Sequence, residues 1–258
     1  RRLSGRAFFL DTLDLTLLKY SVTFGLALVL WTVTDPPASA HAAPIAHAAA
    51  AAAASDAPAA TTPIDVAHAG DLHGVVTDAR GAPVEGALVY LSGGVDALVF
   101  APPRATVALE NRGEAGGLTP SVAAAMVGEP VTARSADGRL HTLVAAAEGG
   151  TVFNVPLLPS GAPRPVDVRE AHGLMELRCT VHADEPHATL AVLSHPFFML
   201  TAADGRYRFD GVPEGDVRVA VTRGRSCGRA SCAPHAEIEV AARVSAREDT
   251  NVALRLPP

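Results

Sequence analysis

Two short stretches of this chain hold the residue types best suited to chemistry: Leu140-His141-Thr142 and Cys179-Thr-Val-His182-Ala-Asp-Glu185-Pro-His187. A thiolate is a soft donor and imidazole suits copper, so one Cys and two His in a plane make the donor set of a one-electron copper site. Cys179 and His182 share a Cys-x-x-His loop, and His141 lies at the end of an earlier candidate strand. Two donors from one loop and a third from a neighbouring strand form a rigid cage, which lowers reorganisation during electron transfer. Such a site is completed by an axial donor. The loop after His182, Ala-Asp-Glu185-Pro-His187-Ala-Thr, has no Met, and the candidates there are His187 and Glu185. Either is a harder donor than Met. It favours Cu(II), lowers the reduction potential and moves the spectrum away from blue. The same residues also read as a buried apolar thiol with ordinary loop histidines.

The remaining candidates carry less. Cys227-Gly-Arg-Ala-Ser-Cys232 lies between two strand patterns, and in an oxidising compartment we expect Cys227 and Cys232 to form a small-loop disulfide. That pairing leaves Cys179 free. Met175 reads as core, His195 as structural, and His172 and His235 as surface loop residues. The chain has no nucleophile elbow, phosphate loop or His-Glu-x-x-His pair. Lys19 is the sole lysine, which excludes lysine-based nucleophiles from the body.

These residues need elements to hold them, and the pattern is one of strands. Many short apolar runs are divided by Gly, Pro and Asp, and several alternate, as in Val217-Arg-Val-Ala-Val221. This predicts an all-β chain of sandwich or barrel type. The one helix candidate, Pro120–Met126, could equally be a strand. The chain has 258 residues, 48% apolar and 19% charged, enough for one large domain or two small ones. Its net charge is −6, with the positive excess confined to the first 40 residues. An acidic body without a basic patch argues against a nucleic-acid partner.

Residues 20–33 are uncharged, follow basic residues and precede Ala38-Ser39-Ala40, the small-x-small pattern of a cleavage site. We expect residues 1–40 to be a signal peptide or an N-terminal anchor, which would be the chain's only membrane contact. The body would then be periplasmic or extracellular. Residues 41–69 read as an Ala/Pro-rich flexible linker.

Two families are resembled. Gly74-Val-Val-Thr-Asp-Ala-Arg-Gly-Ala-Pro-Val-Glu-Gly-Ala-Leu-Val-Tyr-Leu91 and Ala203-Asp-Gly-Arg-Tyr-Arg-Phe-Asp-Gly-Val-Pro-Glu-Gly-Asp-Val-Arg-Val219 resemble the halves of a carboxypeptidase regulatory-like (transthyretin-like) domain. Between them, Thr119-Pro-Ser-Val122, Val127-Gly-Glu-Pro-Val131, Leu140-His-Thr-Leu143, Phe153-Asn-Val-Pro-Leu157, Cys179-Thr-Val-His182 and His195-Pro-Phe-Phe198 resemble a cupredoxin of the plastocyanin-like, methylamine-utilisation type. The resemblance implies a Greek-key β-sandwich inserted into a small transthyretin-like β-sandwich. The halves of the outer module would span 70–98 and 196–258, and the cupredoxin-like domain 99–195. It also implies that His141, Cys179 and His182 are copper ligands. The Cys-x2-His-x4-His spacing is similar to that of red-copper proteins of the nitrosocyanin type, and Thr142 stands where the family commonly has Asn. The expected function is copper binding with electron transfer to a redox partner such as a cytochrome, a carrier or binding protein rather than an enzyme. The alternatives are a red-copper-like enzyme or small-molecule binder and a metal-free interaction module.

Overall fold

The computed structural model describes residues 64–147, 150–159, 161–182, 185–224 and 237–258. Residues 1–63, on which the expected signal peptide or anchor and most of the expected linker fall, lie outside these, as do Cys227 and Cys232. The first strands are β1 (Ala69–Thr77), β2 (Leu88–Gly93), β3 (Val107–Asn111), β4 (Leu118–Thr119), β5 (Val122–Met126), β6 (Val131–Ser135), β7 (His141–Ala147), β8 (Gly150–Leu157) and β9 (Arg164–Val166). Then follow β10 (Gly173–Cys179), β11 (Ala188–Leu193), β12 (Phe198–Leu200), β13 (Arg206–Pro213), β14 (Gly215–Thr222), β15 (Glu237–Val244), β16 (Asp249–Asn251) and β17 (Leu254–Arg255). The chain is all-β, with one 3-10 turn and one single-turn helix among the described residues. No helix of these residues is long and apolar enough to cross a membrane.

Four sheets bury two main cores. A five-stranded sheet, β5-β11-β10-β7-β8, faces a four-stranded sheet, β4-β3-β6-β9. Their shared core joins Leu143, Met175, Leu177 and Leu190 from the first to Leu109, Val131 and Ala133 from the second. Pleated strands send alternate side chains to opposite faces, so each strand contributes every second residue to this core. The second core lies between the sheet β13-β1-β16, with β17 also on β1, and the sheet β12-β2-β14-β15. It joins Leu72 and Val76 of β1 to Val89, Leu91, Val219 and Val221.

A small third cluster links the two bodies: Leu88, Tyr90 and Ala220 meet Val122, Ala191 and Leu193. This explains why all six residues of β11 are buried. Leu190 and Val192 face the first core, while Ala191 and Leu193 lie against the second body. The ambiguous Pro120–Met126 segment resolves as strand β5, paired in parallel with β11. A poly-Ala run has helical propensity, but here its pairing and burial decide.

Candidate metal centre

The pleat delivers two of the side chains. On β10, Met175, Leu177 and Cys179 are buried, whereas Arg178 between them is exposed. On β7, His141, Leu143 and Ala145 share the buried row. The two strands are antiparallel neighbours, with Cys179 opposite Leu143. Cys179 and His141 therefore extend the two core-facing rows at the same end of the sandwich. Just past β10 the chain turns, and His182 and Glu185 fold back over that end. The Glu185 N–H donates to the His182 carbonyl at 3.3 Å.

The four side chains converge, each offering one donor atom, with all four atoms within 4.8 Å of one another. The two Nδ1 atoms of His141 and His182 are 3.2 Å apart, and Cys179 Sγ lies 3.8 Å from each. Glu185 Oε1 lies 2.9 Å from both Nδ1 atoms. Donors held roughly 2.0–2.3 Å from a shared ion stand about 3–4 Å from one another, so this spacing suits a metal. Glu185 supplies an independent sign. Its side chain is 2% exposed, yet Oε1 has no hydrogen-bond partner. A buried, unsatisfied carboxylate oxygen is costly unless a cation compensates it. The donor set therefore fits a metal ion.

Supporting groups fix the donors. Asp137 Oδ1 accepts from His141 Nε2–H at 2.8 Å, so the Nδ1 lone pair is left facing the centre. Partial burial alone would raise the Asp137 carboxyl. Hydrogen bonds from His141, the Arg139 N–H and Ser135 outweigh it and hold the group down at about 2. Asn111, fully buried, donates from Nδ2 to Glu185 Oε2 at 2.8 Å. Gly113 has φ 73° and packs so close to Asp137 that a Cβ would collide with its carboxylate. Gly117 has φ 56°, and a Cβ there would lie 2.9 Å from Pro186, the residue after Glu185. Arg139 Nη2 is 3.1 Å from His182 Nε2. Arginine only donates, so Nε2 accepts in this arrangement. A metal on Nδ1 leaves the ring proton on Nε2, and the half-exposed guanidinium then has to turn away.

The structure thus brings His141, Cys179, His182 and Glu185 together and leaves His187 out. The His187 Nδ1 pairs with Glu176. Glu176 lies on the opposite face of β10 from Cys179, so the x4 spacing carries His187 over the strand rather than into the centre. Cys179 is a free, buried cysteine. The expected Cys227–Cys232 disulfide falls outside the described residues. His195 is buried in the second body, with Nε2 donating to the Leu91 carbonyl at 2.9 Å and Nδ1 accepting from Phe197 N–H at 3.2 Å. Asn111, Asp137 and Arg139 went unmarked in the sequence. Only the Asp137-x-Arg139-x-His141 proximity offered a local signal.

No protein-family model matches the chain, and no curated protein matches it. Among solved structures the chain is similar to the "Novel Purple Cupredoxin from Nitrosopumilus maritimus", with 22% identity and a TM-score of 0.29. The match covers 33% of this chain and 98% of that one.

Proposed function

We propose that His141, Cys179, His182 and Glu185 hold one copper ion, and that the protein is an exported electron carrier. One observation carries the reading: a thiolate, two imidazole Nδ1 atoms and an orphaned carboxylate oxygen converge on one point at the end of a β-sandwich. Sulfur and imidazole suit both copper and zinc; one thiolate with two imidazoles is the set of copper electron-transfer sites, and the carboxylate favours oxidised copper. The bound group supplies one-electron exchange. The protein's own part is to fix the donors, keep bulk water from them and offer an edge to a partner.

Several features support the carrier role. His182 is the most exposed of the donors, at 17%. The exposed apolar side chains of Leu140 and Val181 are its neighbours in the sequence of the two donor loops, and Leu158 follows the residue paired with His141. This apolar rim suits brief contact with a redox protein such as a cytochrome, and the acidic body favours a basic one. Glu185 takes the fourth position that a small-molecule enzyme would keep open. The uncharged stretch 20–33 with Ala38-Ser39-Ala40 supports export to the periplasm. The motif likeness to cupredoxins supports reading residues 99–195 as a cupredoxin-type domain set into a transthyretin-like module.

The test is Cu(II) titration of the full chain beside Cys179→Ser. Equimolar uptake with an intense thiolate-to-copper absorption that vanishes in the variant supports the reading. Absence of that absorption in the wild type sinks it. Reduction of the loaded protein by a basic cytochrome, slowed by salt, tests the carrier role.

A further inference from the structure

We propose that Asn111 is the positioning residue that makes Glu185 a one-oxygen donor at the metal centre. The inference rests on the copper reading above. Asn111 ends β3 and is fully buried. Its amide can sit only one way. The Gly113 N–H donates to Oδ1 at 2.8 Å, so the group turned toward Glu185 is the NH2. Nδ2 donates to Glu185 Oε2 at 2.8 Å. That occupies one carboxylate oxygen and leaves Oε1, without a hydrogen bond, 2.9 Å from both imidazole Nδ1 atoms.

A carboxylate can offer a cation one oxygen or two. Rotation of the Glu185 carboxylate toward two-oxygen binding would break the bond from Asn111 and strand a buried NH2 donor, which is costly. Asn111 therefore holds the donor set at four atoms. Its own backbone is equally fixed: Asn111 pairs with Ser135 of β6, and the Ala136 N–H donates to its carbonyl at 2.7 Å. Asp137, which orients His141, follows directly. One β3–β6 framework thus sets both the carboxylate oxygen and one imidazole of the donor set. Gly117 completes it, because only a residue without Cβ lets Pro186 pack close enough for Glu185 to reach Asn111.

The experiment loads Cu(II) into the full chain as wild type, Asn111→Ala, Asn111→Asp, Glu185→Gln and the Asn111→Ala/Glu185→Gln double variant. Copper affinity is read by chelator competition, and the centre by EPR and visible spectra. The expected result for Asn111→Ala is equimolar copper at about 10- to 100-fold lower affinity, with shifted EPR and thiolate absorption. Asn111→Asp keeps the acceptor for Gly113 and the side-chain shape, so it serves if the alanine variant does not fold. It should weaken copper at least as much, because an oxygen then faces Oε2. In the Glu185→Gln background, Asn111→Ala should leave the spectrum unmoved. Wild-type spectra and affinity in both single Asn111 variants overturn the proposal. So does an Asn111→Ala shift that persists undiminished in the double variant, which marks a merely structural role. Copper binding untouched by Glu185→Gln overturns the proposal while sparing a Cys179 and two-His centre. A wild type that takes up no copper overturns both.

Discussion

Glu185 defines the centre at the scale of single residues, because its buried Oε1 is at hydrogen-bond distance from two imidazoles and bonded to neither. Two neighbours tune the same site. Removing the carboxylate behind His141, in Asp137→Ala, should lower copper affinity about 10- to 100-fold in chelator competition. Arg139→Ala should act in the opposite sense. It removes a donor that competes with the metal-bound tautomer of His182, and losing about 1 kcal/mol of that competition tightens copper roughly fivefold. Cys179, His141 and His182 were legible from donor type and spacing alone. Glu185 was legible only as one of two candidates, since His187 has an equally plausible spacing. The choice between them depends on which face of β10 each reaches. Asn111 was not legible, because 74 residues separate it from Glu185 and only folding joins them.

At the scale of elements, the centre depends on two buried rows. Leu143 and Leu177 are fully buried on the strands that carry His141 and Cys179. Leu177→Ala should cost about 2–5 kcal/mol in urea unfolding and loosen the copper centre with it. The strands themselves were largely legible from alternation, whereas the Ala-rich β5 was not, because alanine gives no periodic contrast and its parallel pairing with β11 is non-local. His195 is buried against Leu91 and Phe197 of the second body and gives a pH dependence. Burial pushes its imidazole below the usual 6.5, outweighing the Leu91 carbonyl and Asp96. The folded chain therefore binds this proton less readily than the unfolded chain. The contribution is flat above pH 6.5, and stability falls as the pH drops below it. Urea midpoints at pH 7.5 and 5.5 should show this loss, and His195→Gln should reduce it.

At the scale of the whole molecule, a ligand that binds only the folded chain stabilises it. Free Cu(II) at 100 times its dissociation constant should add about 2.7 kcal/mol, seen as a higher Tm that a chelator reverses. Cys179→Ser should lose most of that gain. In the proposed centre one copper is held by sulfur, two imidazoles and a carboxylate. Copper-edge X-ray absorption on the loaded full chain tests it most directly. The expected spectrum has one short copper–sulfur distance with three nitrogen or oxygen neighbours, two of them showing imidazole outer-shell scattering. A spectrum with only nitrogen and oxygen neighbours would contradict it, because copper would then be bound away from Cys179.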